Sequence, residues 1–321
     1  MDNQTDSHND HKQPGWEKEL LEKLAFAAIT EQKTARRWGI FFKLLTFSYL
    51  VIVLGVIAYP RLETEMSSDK QHAAIIDVLG VIAEGEGTNA AMVIEGLRDA
   101  AKDKNTKGII LNINSPGGSP VQSAYIYDEI RRTKQLHPEL PIYAVVGDIC
   151  ASGGYYIAAA SDKIYVNKSS IIGSVGVIMN GFGFSKVMEK FGVERRLLTA
   201  GEHKALLDPF SPVNPAETKH MQSMLDQVHQ QFIAAVKVGR GDRLKETPDM
   251  FSGLVWSGEE GVKLGLADDF GSVDSVAREQ LGTEEQFNFT PQERLMDRLA
   301  GKLGASFAHG IATALNMPKF N

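Results

Sequence analysis

Between residues 38 and 60 the chain reads WGIFFKLLTFSYLVIVLGVIAYP, and from Ile40 to Tyr59 its only charge is Lys43. A helix of that length rises about 30 Å, the thickness of a bilayer's hydrocarbon layer, so the pattern predicts a membrane span over 38–60. Lys43 falls within a turn of the N-terminal end, where its stem can snorkel to the headgroups. The segment in front is longer than the n-region of a signal peptide and no A-x-A site closes the run, which favours an anchor over a cleaved leader. Residues 1–37 begin polar and then place Leu20, Leu21, Leu24, Ala25 and Ala28 on one helical face. Lys33, Arg36, Arg37 and Lys43 precede or open the span, whereas Arg61 is soon joined by Glu63, Glu65 and Asp69. The positive-inside rule then keeps residues 1–37 in the cytoplasm and carries everything after Pro60 across the membrane.

A polar linker over 61–72 leads into a different texture. Short apolar runs at 73–83, 107–113 and 141–147 predict buried strands, and amphipathic stretches at 89–103 and 121–136 predict the helices between them. The second strand is expected to end in a turn, NSPGGSP. Further strands are expected at 163–167, 172–179 and 195–200, a long helix from Pro215 to Val238, and a helix, a glycine stop and a short strand over 258–271. This alternation predicts an α/β domain with covered sheet faces over 73–280. From Pro291 the residues Leu295, Leu299, Leu303, Phe307, Ile311 and Leu315 recur every fourth position, so 281–321 is read as an amphipathic tail. It is expected to pack on the body or on a neighbouring subunit rather than on a membrane surface.

Composition narrows the chemistry. With 321 residues and 43% hydrophobic content the chain can bury a full core, and a net charge of −6 argues against a nucleic-acid partner. The single cysteine, Cys150, cannot form an internal disulfide and is read as a packing residue rather than a thiol nucleophile. The sequence holds no HExxH, Cys/His cluster or Walker loop, so neither a metal nor a cofactor is expected.

Two glycine sites remain. NSPGGS follows one strand, and ASGG follows another and opens a helix, which sets Ser152 at a strand-to-helix turn with its oxygen exposed. One amide from each turn is the minimum for an oxyanion hole. The proton acceptor is harder to find. The histidines beyond the span are His72, His137, His203, His220, His229 and His309, with His220 and His229 expected on an exposed helix face. A lysine is the other option, provided that it is neutral and desolvated. Lys163, Lys168, Lys186, Lys190 and Lys204 are all candidates, and composition does not choose among them.

From Ala73 to about Val276, the segments NSPGGS, ASGGYYIAAASDKIYV, IIGSVGVI, TAGEHKALLDPFSP and FSGLVWSGEEGVKLGLADDFGS resemble, in order and spacing, the signal peptide peptidase A family in its short, single-unit form. The resemblance implies an α/β fold of repeated β-β-α units like that of Clp protease and the crotonases, here preceded by one transmembrane helix. It implies a serine peptidase of the bacterial inner membrane with its catalytic domain on the periplasmic or extracellular side. Ser152 would then be the nucleophile, Lys204 the general base and Ser174 the hydroxyl that positions the lysine, with Gly118 and Gly153 supplying the oxyanion amides. Cleaved signal peptides would be the substrates. A homo-oligomeric ring would complete each site with Lys204 from a neighbour. The competing readings are a crotonase-like acyl-CoA enzyme and an inactive membrane scaffold.

Overall fold

A computed structural model of the chain describes residues 16–67 and 70–291, which divide into an N-terminal helical unit and one larger domain. The first unit is a single helix, α1 (Trp16–Ser67). Its stretch Leu21–Gly55 is long and apolar enough to cross a membrane, with a mean hydropathy of 1.8. The helix continues through 61–67, where a linker was expected, and the first strand opens at His72.

The domain begins with β1 (His72–Ile82), α2 (Ala90–Lys102), β2 (Thr106–Gly118), α3 (Pro120–Leu136), β3 (Ile142–Ala151) and α4 (Gly153–Ala158). It continues through β4 (Lys163–Val166), β5 (Ile171–Gly173), α5 (Ser185–Lys190) and α6 (Pro215–Arg240), then β6 (Val255–Ser257), α7 (Gly258–Leu264), β7 (Asp269–Phe270), α8 (Val273–Glu279) and β8 (Gln286–Asn288). The strands form one sheet in the order β6-β5-β3-β2-β1-β8, with β4 and β7 branching from β3. All pairings are parallel except β5 with β6. Alternation along β2 explains why the sheet is covered on both faces. Ile109, Leu111 and Ile113 enter the main core with Ile76, Leu97, Ile126 and Ile130, while Ile110 points the other way to Val145, Tyr165 and Val276. The helices start where the sequence provides caps: Asn89 accepts from the amide of Met92, and Ser119, followed by Pro120, accepts from that of Gln122.

The branch at β3 is what positions the site. Its first half, Tyr143–Val145, pairs with β4, and its last residues, Ile149–Ala151, pair with β5. At the parting point Gly147 has its carbonyl satisfied by the Ser170 hydroxyl at 2.6 Å, and the Ile149 amide donates to the Asn114 side chain at 3.1 Å. The end of β3 thereby leaves the β4 branch with its backbone groups still paired.

Four expectations are corrected. NSPGG is the end of β2 and not a turn, because Val81 and Ile82 of β1 stand in register with Gly117 and Gly118. β5 stops at Gly173, where Ser174 turns the chain with φ 52°, so no strand continues to 179. Residues 195–200 form no strand. The domain also runs past residue 280, since β8 pairs with Ala73–Ile75 of β1. The tail stripe from Leu295 to Leu315 lies outside the described residues.

Behind α4 a buried ion network fastens the C-terminal part to the sheet. Arg240, fully buried, donates to the Gly265 carbonyl at 2.8 Å and to Asp268 at 2.7 Å, and Arg243 reaches the other Asp268 oxygen at 3.1 Å. Asp268 also accepts from the Ile164 amide of β4 at 2.7 Å. Burial alone would raise the Asp268 pKa, but the Arg240 hydrogen bond and charge, the Ile164 amide and Arg243 outweigh it, so the carboxyl lies below its usual range. Asp268→Asn should destabilise the domain by about 3 kcal/mol at neutral pH, because it leaves Arg240 buried without its counter-charge. Since the folded-state pKa is depressed, the wild-type advantage is complete above about pH 4 and is lost as pH falls through the lowered value. Urea unfolding of both proteins across this range checks that the two stabilities converge in acid.

Candidate active site

Ser152 occupies the joint between β3 and α4 with φ 52° and ψ −121°. A non-glycine residue in such a conformation carries about 1–3 kcal/mol of strain and persists only where its neighbours over-determine it. Its amide donates to the Gly173 carbonyl at 2.9 Å, and its own carbonyl accepts from the Tyr156 amide at 2.9 Å. The side chain makes no capping bond to α4, so the hydroxyl is left to the cleft that it lines.

The end of β2 forms the facing wall. Ser115, buried, donates to the Gly80 carbonyl at 2.6 Å and accepts from the Gly117 amide at 3.1 Å. Gly117 and Gly118 then take φ values of 103° and 156°. A Cβ on Gly117 would stand 2.8 Å from the Ser152 Cβ, and one on Gly118 only 2.1 Å from the Ile82 carbonyl oxygen. A Cβ on Gly153 would lie 2.4 Å from the Ser123 hydroxyl and 3.2 Å from the Gly118 amide nitrogen. Three backbone segments thus meet more closely than side chains allow. The result gathers Ser152, Gly118 and Gly153 in one place, an arrangement suited to attack on a carbonyl and to holding the resulting oxyanion.

These residues open into a cleft of about 310 Å³, walled by α3, α4, α6 and the segment after Ser174. Its walls include Tyr125, Tyr156 and Phe232, none of which sequence reasoning singled out. The available signal was the spacing of Val121, Tyr125 and Asp128, which shares one face of α3 directly after the glycine pair. Tyr156 stacks on Phe232 at 4.8 Å and meets Tyr127 edge-on at 5.3 Å.

Ser174 is one peptide away from the Ser152 joint. It has the same left-handed φ of 52°, and its amide donates to the Leu254 carbonyl at 2.8 Å. His229 is not on an exposed face as expected. It is half-buried and its Nε2 lies 3.0 Å from the Val175 carbonyl, which fixes the path of the cleft wall.

Lys204 lies elsewhere on the surface of the chain. It is exposed, follows a turn in which its amide donates to the Gly201 carbonyl, and does not line the cleft. Among the described residues it has no ion pair, with Glu202 or any other carboxylate. Neighbouring His203 is engaged with Glu217 at 3.1 Å. His72 is buried at the start of β1 and His137 caps the end of α3, so neither faces Ser152. Cys150 is buried beneath the joint, and burial pushes its thiol pKa far up, as befits a packing residue. No cluster of metal-ligating side chains occurs among the described residues.

Comparison with known proteins places the domain in a family. The model of peptidase family S49 matches residues 134–285, and that of Clp protease matches residues 69–172. A putative protease of Synechocystis sp. is 32% identical over 210 residues, covering 65% of this chain and 73% of that protein. The chain belongs to peptidase family S49. A putative signal peptide peptidase of Enterococcus faecium is 33% identical over 65% of this chain and 64% of its own length. A Brucella abortus protein named as a Na(+)/H(+) antiporter is 38% identical over 247 residues, 77% of this chain. This chain spans only 33% of that protein. The S49 model reaches residue 285, past the 280 boundary expected for the domain and close to β8.

The steric contact at Gly153 makes a direct test of the site's packing. Gly153→Ala should destabilise the chain by about 1–3 kcal/mol, as overpacking does, and adding Ser123→Ala should recover most of that loss by removing the oxygen it strikes. Thermal unfolding of the two single variants and the double variant measures this coupling.

Proposed function

We propose that this S49 protein is a membrane-anchored serine endopeptidase with a Ser/Lys dyad, acting on signal peptides left in the membrane after secretion and on similar unfolded peptides. The observation that carries the reading is the strained Ser152, wedged between Gly118 and Gly153 at the mouth of an apolar cleft. Ser152 Oγ attacks the scissile carbonyl as its proton passes to a lysine amine. The amides of Gly118 and Gly153 hold the oxyanion, and the lysine returns the proton to the departing amine. Water then releases the acyl group by the same path in reverse roles.

Lys204 is the base in this reading, with Ser174 orienting it. The absence of Lys204 from its own chain's cleft is accounted for if a neighbouring copy supplies it. The segment from Ser174 to Asn214 supports assembly: Leu198 is 98% exposed, Ile178 83% and Phe182 82%, more apolar surface than an isolated arm would hold toward water. The anchor is the apolar run 38–60, most of which falls in the stretch Leu21–Gly55 that is long and apolar enough to cross a membrane, and the cations before it, Lys33, Arg36 and Arg37, keep the N-terminus in the cytoplasm and the domain on the far side. The name of the Enterococcus faecium relative supports signal peptides as the substrate class.

The test mixes subunits. Ser152→Ala and Lys204→Ala should each abolish cleavage of a synthetic signal peptide by the full chain in detergent. Dissociated and reassembled together, they should regain part of the wild-type rate, because some interfaces then hold both intact residues. Mixed assemblies that stay inactive would place the dyad within one chain. Wild-type activity retained by Lys204→Ala would remove the lysine from the mechanism.

A further inference from the structure

The cleft beside Ser152 carries one charge. Its walls are apolar or aromatic over most of their area, and among the residues lining it only Asp128 is an acid or a base of formal charge. Asp128 has no ion pair and no side-chain hydrogen bond among the described residues. The contrast with the next residue is sharp, since Glu129 is held by Arg98 at 2.8 Å and by Arg132 at 3.7 Å. Arg131 does not line the cleft. Asp128, itself exposed, therefore sets an unpaired carboxylate at the rim of an otherwise apolar space.

Its placement along α3 sets a length. The helix starts at Pro120, two residues after Gly118, and Val121, Tyr125 and Asp128 follow one another on one face. At the helical rise per residue, Asp128 lies about 12 Å along the axis from the glycine end. The carboxylate is thus at the far end of the wall from the reacting hydroxyl, with Tyr125 between. Its field is felt across the cleft: burial, and after it the charge of Asp128, raises the pKa of the Tyr156 hydroxyl. A side chain that enters beside Ser152 and fills this space needs a long apolar stem and a cationic tip. Lysine has a four-carbon stem and an ammonium, and arginine has a planar guanidinium that also stacks on aromatic rings.

We propose that Asp128 is a specificity-determining residue that selects peptides with lysine or arginine at the position whose carbonyl Ser152 attacks. The inference rests on the peptidase reading above and names the substrate class of that same site. It also fits signal peptides, whose n-region is basic and adjoins an apolar segment.

The experiment uses the full chain in detergent and peptides that differ only in the residue before the scissile bond: lysine, arginine, norleucine or glutamate. Lysine and arginine should exceed norleucine by about tenfold in kcat/KM, the factor expected for one charge-assisted contact. Asp128→Asn should bring that ratio close to one, and Asp128→Lys should turn the preference toward glutamate. A folding defect would lower all four rates together and leave their ratios unchanged, so the ratios decide. Norleucine cleaved as fast as lysine by the wild type, or an Asp128→Asn variant that keeps the preference, would overturn the proposal. In a second arm, fluorescence anisotropy follows the same peptides, labelled, binding to Ser152→Ala. The lysine peptide should bind about tenfold more tightly than the norleucine peptide, and Asp128→Asn should erase the difference. Equal binding of the two overturns the proposal even if no peptide is hydrolysed, whereas selective binding without any hydrolysis by the wild type sinks only the peptidase reading.

Discussion

The left-handed backbone of Ser152 is the constraint around which the domain is arranged. A side chain at that φ is unfavourable by itself, so the surrounding groups must leave no relaxed alternative. They do so from three sides. The Gly173 carbonyl receives the Ser152 amide, the backbone of Gly117 stands where no Cβ could fit, and Tyr156 returns its amide to the Ser152 carbonyl. Each hold depends on a different strand or helix reaching the same point. The branch of β3 makes this possible, because the end of the strand is freed from β4 and delivered to β5.

Parallel register does the rest of the positioning. β2, β3 and β5 are neighbours in the sheet and run the same way, so their carboxyl ends emerge together. Gly118 is the last residue of β2, Ser152 follows β3 and Ser174 follows β5. Residues 34 and 22 positions apart in sequence thus become neighbours by topology alone, as is usual where sites form at the carboxyl edge of parallel sheets. The Arg240–Asp268 network acts at a distance from this edge. It ties the end of α6 to β4 by way of the Ile164 amide, and Tyr155 of α4 donates to the Leu266 carbonyl in the same region. The short helix that follows Ser152 is thereby anchored from behind.

Local pattern made much of this legible. The apolar runs of β1 and β3, the helical stretches that became α2 and α3 and the glycine stop at the end of α7 are short-range signals, and the structure follows them. The misses share a cause: pairing is a tertiary property. NSPGG has the composition of a turn, yet it lies flat beside β1 because Ser115 takes up the Gly80 carbonyl and the Gly117 amide. RRLLTA has the composition of a strand, yet it meets no partner edge among the described residues. That Ser152, Gly118 and Gly153 come together was readable because each sits within a few residues of a glycine punctuation. The cleft walls were not, since Tyr125, Asp128 and Phe232 come from two helices far apart in sequence and belong together only after folding.

The unpaired segment 195–200 and the exposed Lys204 bear on one another. A lysine takes a proton from serine only where water is excluded from its amine. In the single chain Lys204 stands in water, so if it is the base, as proposed, the exclusion comes from a second copy. The same arm carries Phe182, Leu198 and Val213 outward, side chains whose removal from water is favourable by about 1.5–3 kcal/mol each. Ile178 belongs to both places at once, lining the Ser152 cleft while being almost wholly exposed. The apolar surface of the arm is therefore continuous with the rim of the cleft. Under the proposed reading, one association then removes both defects of the isolated chain: it covers the arm and dries the lysine against a serine already held in its reactive conformation. In that reading chemistry and assembly become a single event, and a lone subunit has a poised nucleophile without a base.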